Sequence, residues 1–270
     1  MSSNKTSDND TVHIDEDIIL AKYDLADIRP GNIIAMIGPT DCGKSFLARE
    51  ICWYLRHRVP SCVVISGSEK FNSAYKGTFP DIYIYNEFKP DILRRVLERQ
   101  EDLTIFAQTR PDIFRKYNID PSILVIADDC MHDDTWKRDK STKYLFFAGR
   151  HAGATFLFMM QFPLGVPPEE RGNIKYVFVF GDEDPGNLKR IFEHYCRGVI
   201  PNEATFKKIF RKCTQDNQCM VIDRTKKGSW IDKIFWYKAH DVGKFIFGSK
   251  LAWLYHKKEY CKNWRIRDKK

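Results

Sequence analysis

The sequence predicts an α/β protein built on a doubly wound, parallel sheet. Three observations carry that expectation. Short continuous apolar runs of strand length recur along the chain, with segments of helical periodicity between them. One run feeds directly into Gly38-Pro39-Thr40-Asp41-Cys42-Gly43-Lys44-Ser45, and a helical pattern follows that stretch. Another run ends in two consecutive acids, Asp128 and Asp129. Strands alternating with helices make a parallel sheet covered on both faces.

Residues 1–17 are polar and acidic (Asp8, Asp10, Asp15, Glu16, Asp17) and read as a flexible tail rather than a targeting segment. The core is expected over 18–200. Its first strand is the run 32–37, and Phe46, Leu47, Ile51 and Leu55 recur at helical spacing after residue 45. Between them, residues 38–45 match G-x-x-x-x-G-K-[ST], the P-loop or Walker A motif. Strand, loop and helix in that order separate it from an ordinary glycine turn. Gly38 and Gly43 let the loop curl so that backbone N–H groups face phosphate oxygens, and the helix adds its positive N-terminal end. Lys44 is expected on the β- and γ-phosphates and Ser45 on magnesium. Gly38, Pro39, Thr40, Asp41, Cys42, Gly43, Lys44, Ser45 and Phe46 are the candidate nucleotide contacts. Cys42, close to Lys44 at a helix N-terminus, is expected to favour the thiolate.

A second strand follows at 61–66, an extended run at 82–85 and an amphipathic helix at 89–107 with Ile92, Leu93, Val96, Leu97 and Leu103 on one side. The run 122–127 leads into Asp128 and Asp129. An acid ending a buried strand downstream of a P-loop is the second half of a nucleotide site, the Walker B position: Asp128 to hold magnesium, through water, and Asp129 to orient or deprotonate the attacking water. A strand ending in a solvated turn is the alternative. A short helix over 141–150, a strand over 155–160 ending at Gln161, a strand over 176–180 and a helix near 185–197 complete the core. The unit 82–107 lies between the P-loop helix and the Asp128 strand. An inserted strand between the two motifs marks the RecA-like, additional-strand P-loop NTPases, whereas in many P-loop kinases and GTPases the two strands are adjacent.

Beyond residue 200 a helix over 203–212 and two strands at 219–222 and 234–237, joined by a turn near Lys227-Gly228, are expected as a small α+β appendage on the sheet edge. The formal charge of +8 is concentrated at the end: Lys244 to Lys270 holds nine basic residues against two acids, with Trp253, Tyr255, Tyr260 and Trp264 interleaved. Such a segment can hold a phosphate backbone. It can equally be the solvated face of a terminal helix whose Leu251, Trp253 and Leu254 pack on the core.

No uncharged apolar run reaches the roughly 18 residues that span a bilayer, so no integral membrane segment is expected. The eight cysteines include no C-x-x-C pair, which argues against a zinc ribbon and for a reducing, intracellular setting. No L-S-G-G-Q-like segment and no N-K-x-D segment is present, which disfavours ABC ATPases and GTPases.

Read together, "GPTDCGKS", "ILVIADD" and "FFAGRHAGATFLFMMQ" resemble the genome-packaging ATPases of nucleocytoplasmic large DNA viruses, the poxvirus-type branch of the HerA–FtsK superfamily, over roughly residues 30–200. The resemblance implies ATP and Mg²⁺ as cofactors and a ring-shaped homo-oligomer. Its partners would be duplex DNA and a capsid or membrane vertex protein, in the host cytoplasm at the viral factory and in the virion. It implies Gln161 as the polar sensor of the γ-phosphate and Arg150 as an arginine finger offered to a neighbouring subunit. Gln161 as a simple strand cap, and Arg150 as a surface or intrasubunit ion-pairing residue, stay open; His151 carries no assigned chemistry. Lys44, Asp129, Arg150 and Gln161 are thus the catalytic candidates of an ATP-driven DNA translocase. A P-loop small-molecule kinase and a nucleotide-regulated virion scaffold without turnover are the competing functions.

Overall fold

The computed structural model describes residues 10–16, 18–130 and 135–260. An eight-stranded sheet organises them. In chain order its strands are β3 (Ile33–Ile37), β4 (Ser61–Ser66), β5 (Ile84–Tyr85), β6 (Ile123–Asp128), β7 (Ala154–Met160), β8 (Ile174–Phe180), β9 (Gln218–Asp223) and β10 (Ile234–Lys238). Across the sheet they run β10-β9-β8-β3-β7-β6-β4-β5. The six strands from β8 to β5 are parallel, and β9 and β10 add an antiparallel edge. A separate hairpin pairs β1 (Thr11–His13) with β2 (Ile19–Ala21).

The continuous apolar runs become strands because both faces of the sheet are covered. Along β3, Ile33, Ala35 and Ile37 join one buried cluster while Ile34 and Met36 join the other. On the first face lie α3 (Pro90–Thr109), through Ile92 and Val96, and α6 (Lys140–Ala148), through Leu145 and Phe146. On the second lies α1 (Lys44–Leu55), through Leu47, Ile51 and Leu55. This is the expected doubly wound architecture.

The inserted strand between β3 and β6 is β7, the strand that ends at the Gln161 loop, and not the 82–107 unit that sequence order suggested. That unit supplies only the two-residue β5 at the far edge, after a 3₁₀ turn over Asp81–Tyr83. The helix expected over 185–197 is α8 (Pro185–Ile191) continued as a π-turn over Phe192–Cys196.

The N-terminal tail reading fails for residues 10–16, because β1 is hydrogen-bonded to β2; residues 1–9 and 17 lie outside the described residues. The segment after 200 is tied closely to the core. After α9 (Glu203–Cys213), β9 is buried in the same sheet, with Met220 and Ile222 in one cluster and Cys219 and Val221 in the other. The final helix, α10 (Lys250–Glu259), buries no residue. Leu251 and Leu254 are exposed, against the expectation of a core cluster. Residues 261–270, with Lys262, Trp264, Arg265, Arg267, Lys269 and Lys270 of the basic tail, lie outside the described residues.

Candidate functional site

The carboxyl ends of β3, β6 and β7 meet at one cleft of about 410 Å³. Thr40, Asp41, Gly43, Lys44, Ser45 and Phe46 line it from the P-loop, Asp128 and Asp129 from β6, and Met159, Met160 and Gln161 from β7. The crevice outside the carboxyl ends of the strands is where ligands bind in open α/β sheets.

The loop earns its shape from two left-handed residues, Asp41 (φ 60) and Gly43 (φ 98). Gly43 caps α1 without any side-chain hydrogen bond, so the first N–H groups of that helix keep their donors for a ligand. Gly38 is packed beneath the loop, where a Cβ would stand 2.7 Å from Phe180 Cβ and 2.8 Å from Cys42 Sγ. Gly38, Cys42 and Phe180 thus pack together at the base of the loop. The Lys44 ammonium donates to the Gly38 carbonyl at 2.8 Å and to the Pro39 carbonyl. Burial pushes the Cys42 thiol up even though Lys44 Nζ stands 3.7 Å away. The expected thiolate is thus overturned: a charge under the loop loses more hydration than one ammonium returns.

Asp128 is 3% exposed at the end of β6. Its Oδ2 accepts from Ser45 Oγ at 3.2 Å and from Tyr75 OH at 2.8 Å. Burial holds its carboxyl above the usual range, and the two hydroxyl donors offset only part of that. Among the described residues it has no ion pair, so a buried carboxylate beside the Ser45 hydroxyl lacks a cation. That donor pair fits a magnesium ion held mainly by phosphates and water. Among the described residues no cluster of three or more His, Cys, Asp or Glu could hold a metal without such help.

Asp129 turns into the left-handed region at φ 48, which its short polar side chain tolerates. The turn brings its carboxylate into the cleft, where Oδ1 accepts from Gln161 Nε2 at 3.0 Å. Gly67 makes room for the turn: a Cβ there would lie 2.5 Å from the Asp129 carbonyl oxygen. Lys44, Ser45, Asp128, Asp129 and Gln161 are thus gathered at one place from three strands.

Arg150 stands apart from them. It follows α6 and touches Gly31, whose Cβ position is 3.7 Å from Arg150 Cγ, at the amino edge of the sheet. The seven residues of β7 separate it from the cleft, roughly 20 Å at the rise of a strand. His151 lies on the same edge, in a groove with α3 and Tyr144.

Sequence reasoning missed Tyr75, Ser68 and Asn72. Ser68 and Asn72 line the cleft opposite the P-loop, linked by an Asn72 Nδ2 to Ser68 Oγ bond of 3.1 Å. Ser68 follows β4 and so stands at the carboxyl edge, which is the only signal that points to it. Tyr75 is fully buried in a stretch of mixed polarity that carries no motif.

No protein-family model matches the chain. Protein L437 of Acanthamoeba polyphaga mimivirus is 36% identical over 243 residues, covering 89% of this chain and 84% of that one. Protein 015R of Frog virus 3 is 30% identical over 253 residues, covering 89% and 75%. Among solved structures, the genome packaging NTPase B204 of Sulfolobus turreted icosahedral virus 2 in complex with AMP superposes with a TM-score of 0.56. It is 16% identical and covers 79% of this chain and 100% of its own. The same NTPase in complex with AMPPCP gives 0.54 at 17% identity, with the same coverage. The fold is shared with B204 and the sequence with the viral relatives. The chain belongs to the family of viral proteins that includes L437 and 015R.

Proposed function

We propose that the protein is an ATP-hydrolysing motor that moves duplex viral DNA into a preformed capsid. The observation that carries the ATPase half is the direct Gln161–Asp129 hydrogen bond beside Lys44, Ser45 and Asp128 in one cleft. Lys44 and the N-terminus of α1 neutralise the phosphate charge, and Asp128 with Ser45 holds magnesium. When bound there, magnesium would supply charge neutralisation at the phosphates. Asp129, solvent-facing and oriented by Gln161, accepts the proton of the attacking water. Gln161 hydrogen-bonds that base and lines the same cleft, from which it would sense the terminal phosphoryl group.

Among the described residues no arginine lines the cleft. A kinase would close such a site with its own lid arginines, so this composition favours a guanidinium supplied by a neighbour. Arg150, on the opposite edge of the sheet, is free to serve the next subunit of a ring. The DNA half rests on the basic, aromatic C-terminal segment and on what B204 is named for.

The deciding experiment is the ATPase rate of the full-length protein with and without duplex DNA at low salt. Stimulation by DNA of any sequence is the expected result. Turnover that DNA leaves unchanged, together with phosphate transfer to a small acceptor, would replace the motor with a kinase. Nucleotide binding without turnover would leave a scaffold.

A further inference from the structure

We propose that Tyr75 is a positioning residue for the Asp128 carboxylate: its hydroxyl, together with that of Ser45, engages Oδ2 and leaves Oδ1 as the oxygen offered to magnesium. The inference rests on the nucleotide-site reading above.

The geometry has three parts. The hydroxyl of a fully buried tyrosine donates to Asp128 Oδ2 at 2.8 Å, a shorter bond than the 3.2 Å one from Ser45. Among the described residues Oδ1 accepts no hydrogen bond, and the carboxylate lines the cleft. One oxygen is therefore committed and the other is open. A carboxylate free to rotate would present either oxygen and spend part of its time turned away from the cation.

The tyrosine itself is held from both ends. The carboxylate of Glu69, in α2 (Glu69–Asn72), is buried, has no ion pair among the described residues, and accepts from the backbone N–H of Tyr75 at 3.1 Å and of Lys76 at 3.0 Å. Burial pushes Glu69 up and those N–H bonds draw it down, as they would for a carboxylate used as a backbone clamp. The Tyr75 ring meets Phe79 edge-on at 5.8 Å, and Phe79 stacks on the buried Phe247 at 5.1 Å. A clamp on the backbone and a wall against the ring leave the phenol few places to point. A tyrosine needed only for packing would not require its hydroxyl to meet the end of β6.

The test uses full-length protein and a fluorescent ATP analogue whose binding is followed first in EDTA and then against added Mg²⁺. Tyr75→Phe keeps the ring and removes only the donor. Its binding in EDTA should match the parent, while the Mg²⁺ needed for half of the metal-dependent binding change should rise about tenfold, the lower end of what losing an outer partner of a metal ligand costs. Glu69→Gln should move the same midpoint in the same direction by less. An unchanged Mg²⁺ midpoint in Tyr75→Phe would overturn the proposal. So would weaker binding in EDTA together with a lower melting temperature, which would assign Tyr75 to packing alone. A parent protein that binds the analogue no better with Mg²⁺ than with EDTA would instead remove the underlying site reading, and the proposal with it.

Discussion

Gly67→Ala should disable hydrolysis from a position that does not touch the nucleotide. The residue is pinned to the sheet: its N–H donates to the Asp128 carbonyl at 3.1 Å, one step after Ser66 pairs with Asp128. An added Cβ would stand 2.5 Å from the Asp129 carbonyl oxygen, whereas ordinary contact begins near 3.4 Å. One backbone or the other must therefore move by about 0.9 Å. Asp129 is the part that can give, since it sits in a left-handed turn beyond the last paired residue of β6. Its carboxylate would then leave the 3.0 Å bond to Gln161. A misplacement of about 1 Å at a catalytic group costs on the order of 10²-fold in rate, or about 3 kcal/mol on the barrier. The overpacking itself should cost about 1–3 kcal/mol of stability. Steady-state ATPase, nucleotide binding in EDTA and thermal unfolding of one full-length preparation separate these effects. Turnover near the parent value in a folded, nucleotide-binding Gly67→Ala protein would refute the placement of Asp129 at the chemistry.

Asp129→Asn should bind ATP and hydrolyse it at least about 10²-fold more slowly, since it keeps the shape and loses the base; product release under single-turnover conditions reads this directly. Arg150→Ala and Lys44→Ala should each be inactive but recover part of the ATPase when mixed, because an intact P-loop then meets an intact finger worth roughly 10³–10⁵ in rate. No recovery in mixtures shown to co-assemble would end the trans assignment. Phe247→Ala should cost about 3–5 kcal/mol in chemical denaturation, since it removes a fully buried ring stacked on Phe79. Replacing Lys257, Lys258, Lys262, Arg265 and Arg267 by Gln should lower the slope of log K against log salt for duplex DNA by about 0.9 for each lost phosphate contact. An unchanged slope would leave that segment a merely solvated one.

What the sequence showed it showed through local chemistry. The 38–45 loop, the apolar run into Asp128-Asp129 and the run ending at Gln161 each announce themselves within ten residues, and each stands where it was expected. Sheet order is non-local, and there the reading erred. The 82–107 unit is interposed in sequence, but β7 is interposed in space, because a crossover helix can carry the chain past any neighbour. The β1–β2 hairpin was hidden by its acids. Cys42 was misjudged because its neighbours along the chain favour a thiolate while Gly38 and Phe180, packed on it in space, do not. Tyr75 has no motif at all: its meaning comes only from the fold that brings its hydroxyl to residue 128.

The position of β7 bears on how such a site could do work. It is hydrogen-bonded to the P-loop strand on one side and to the Asp128 strand on the other, and all seven of its residues are buried. Close-packed interiors do not stretch continuously; they shift as units. At the carboxyl end of this rod Gln161 holds Asp129, and at its amino end the turn that carries Arg150 is fixed to the core. Gln100 makes that second attachment, donating from α3 to the Ala152 carbonyl at 2.6 Å and to the Pro121 carbonyl at 2.8 Å. On the proposed reading, one rigid strand therefore has a subunit's own sensor at one end and the arginine it lends at the other. A change in what occupies one cleft would reach the neighbouring cleft without passing through a flexible loop, as firing in order around a ring requires.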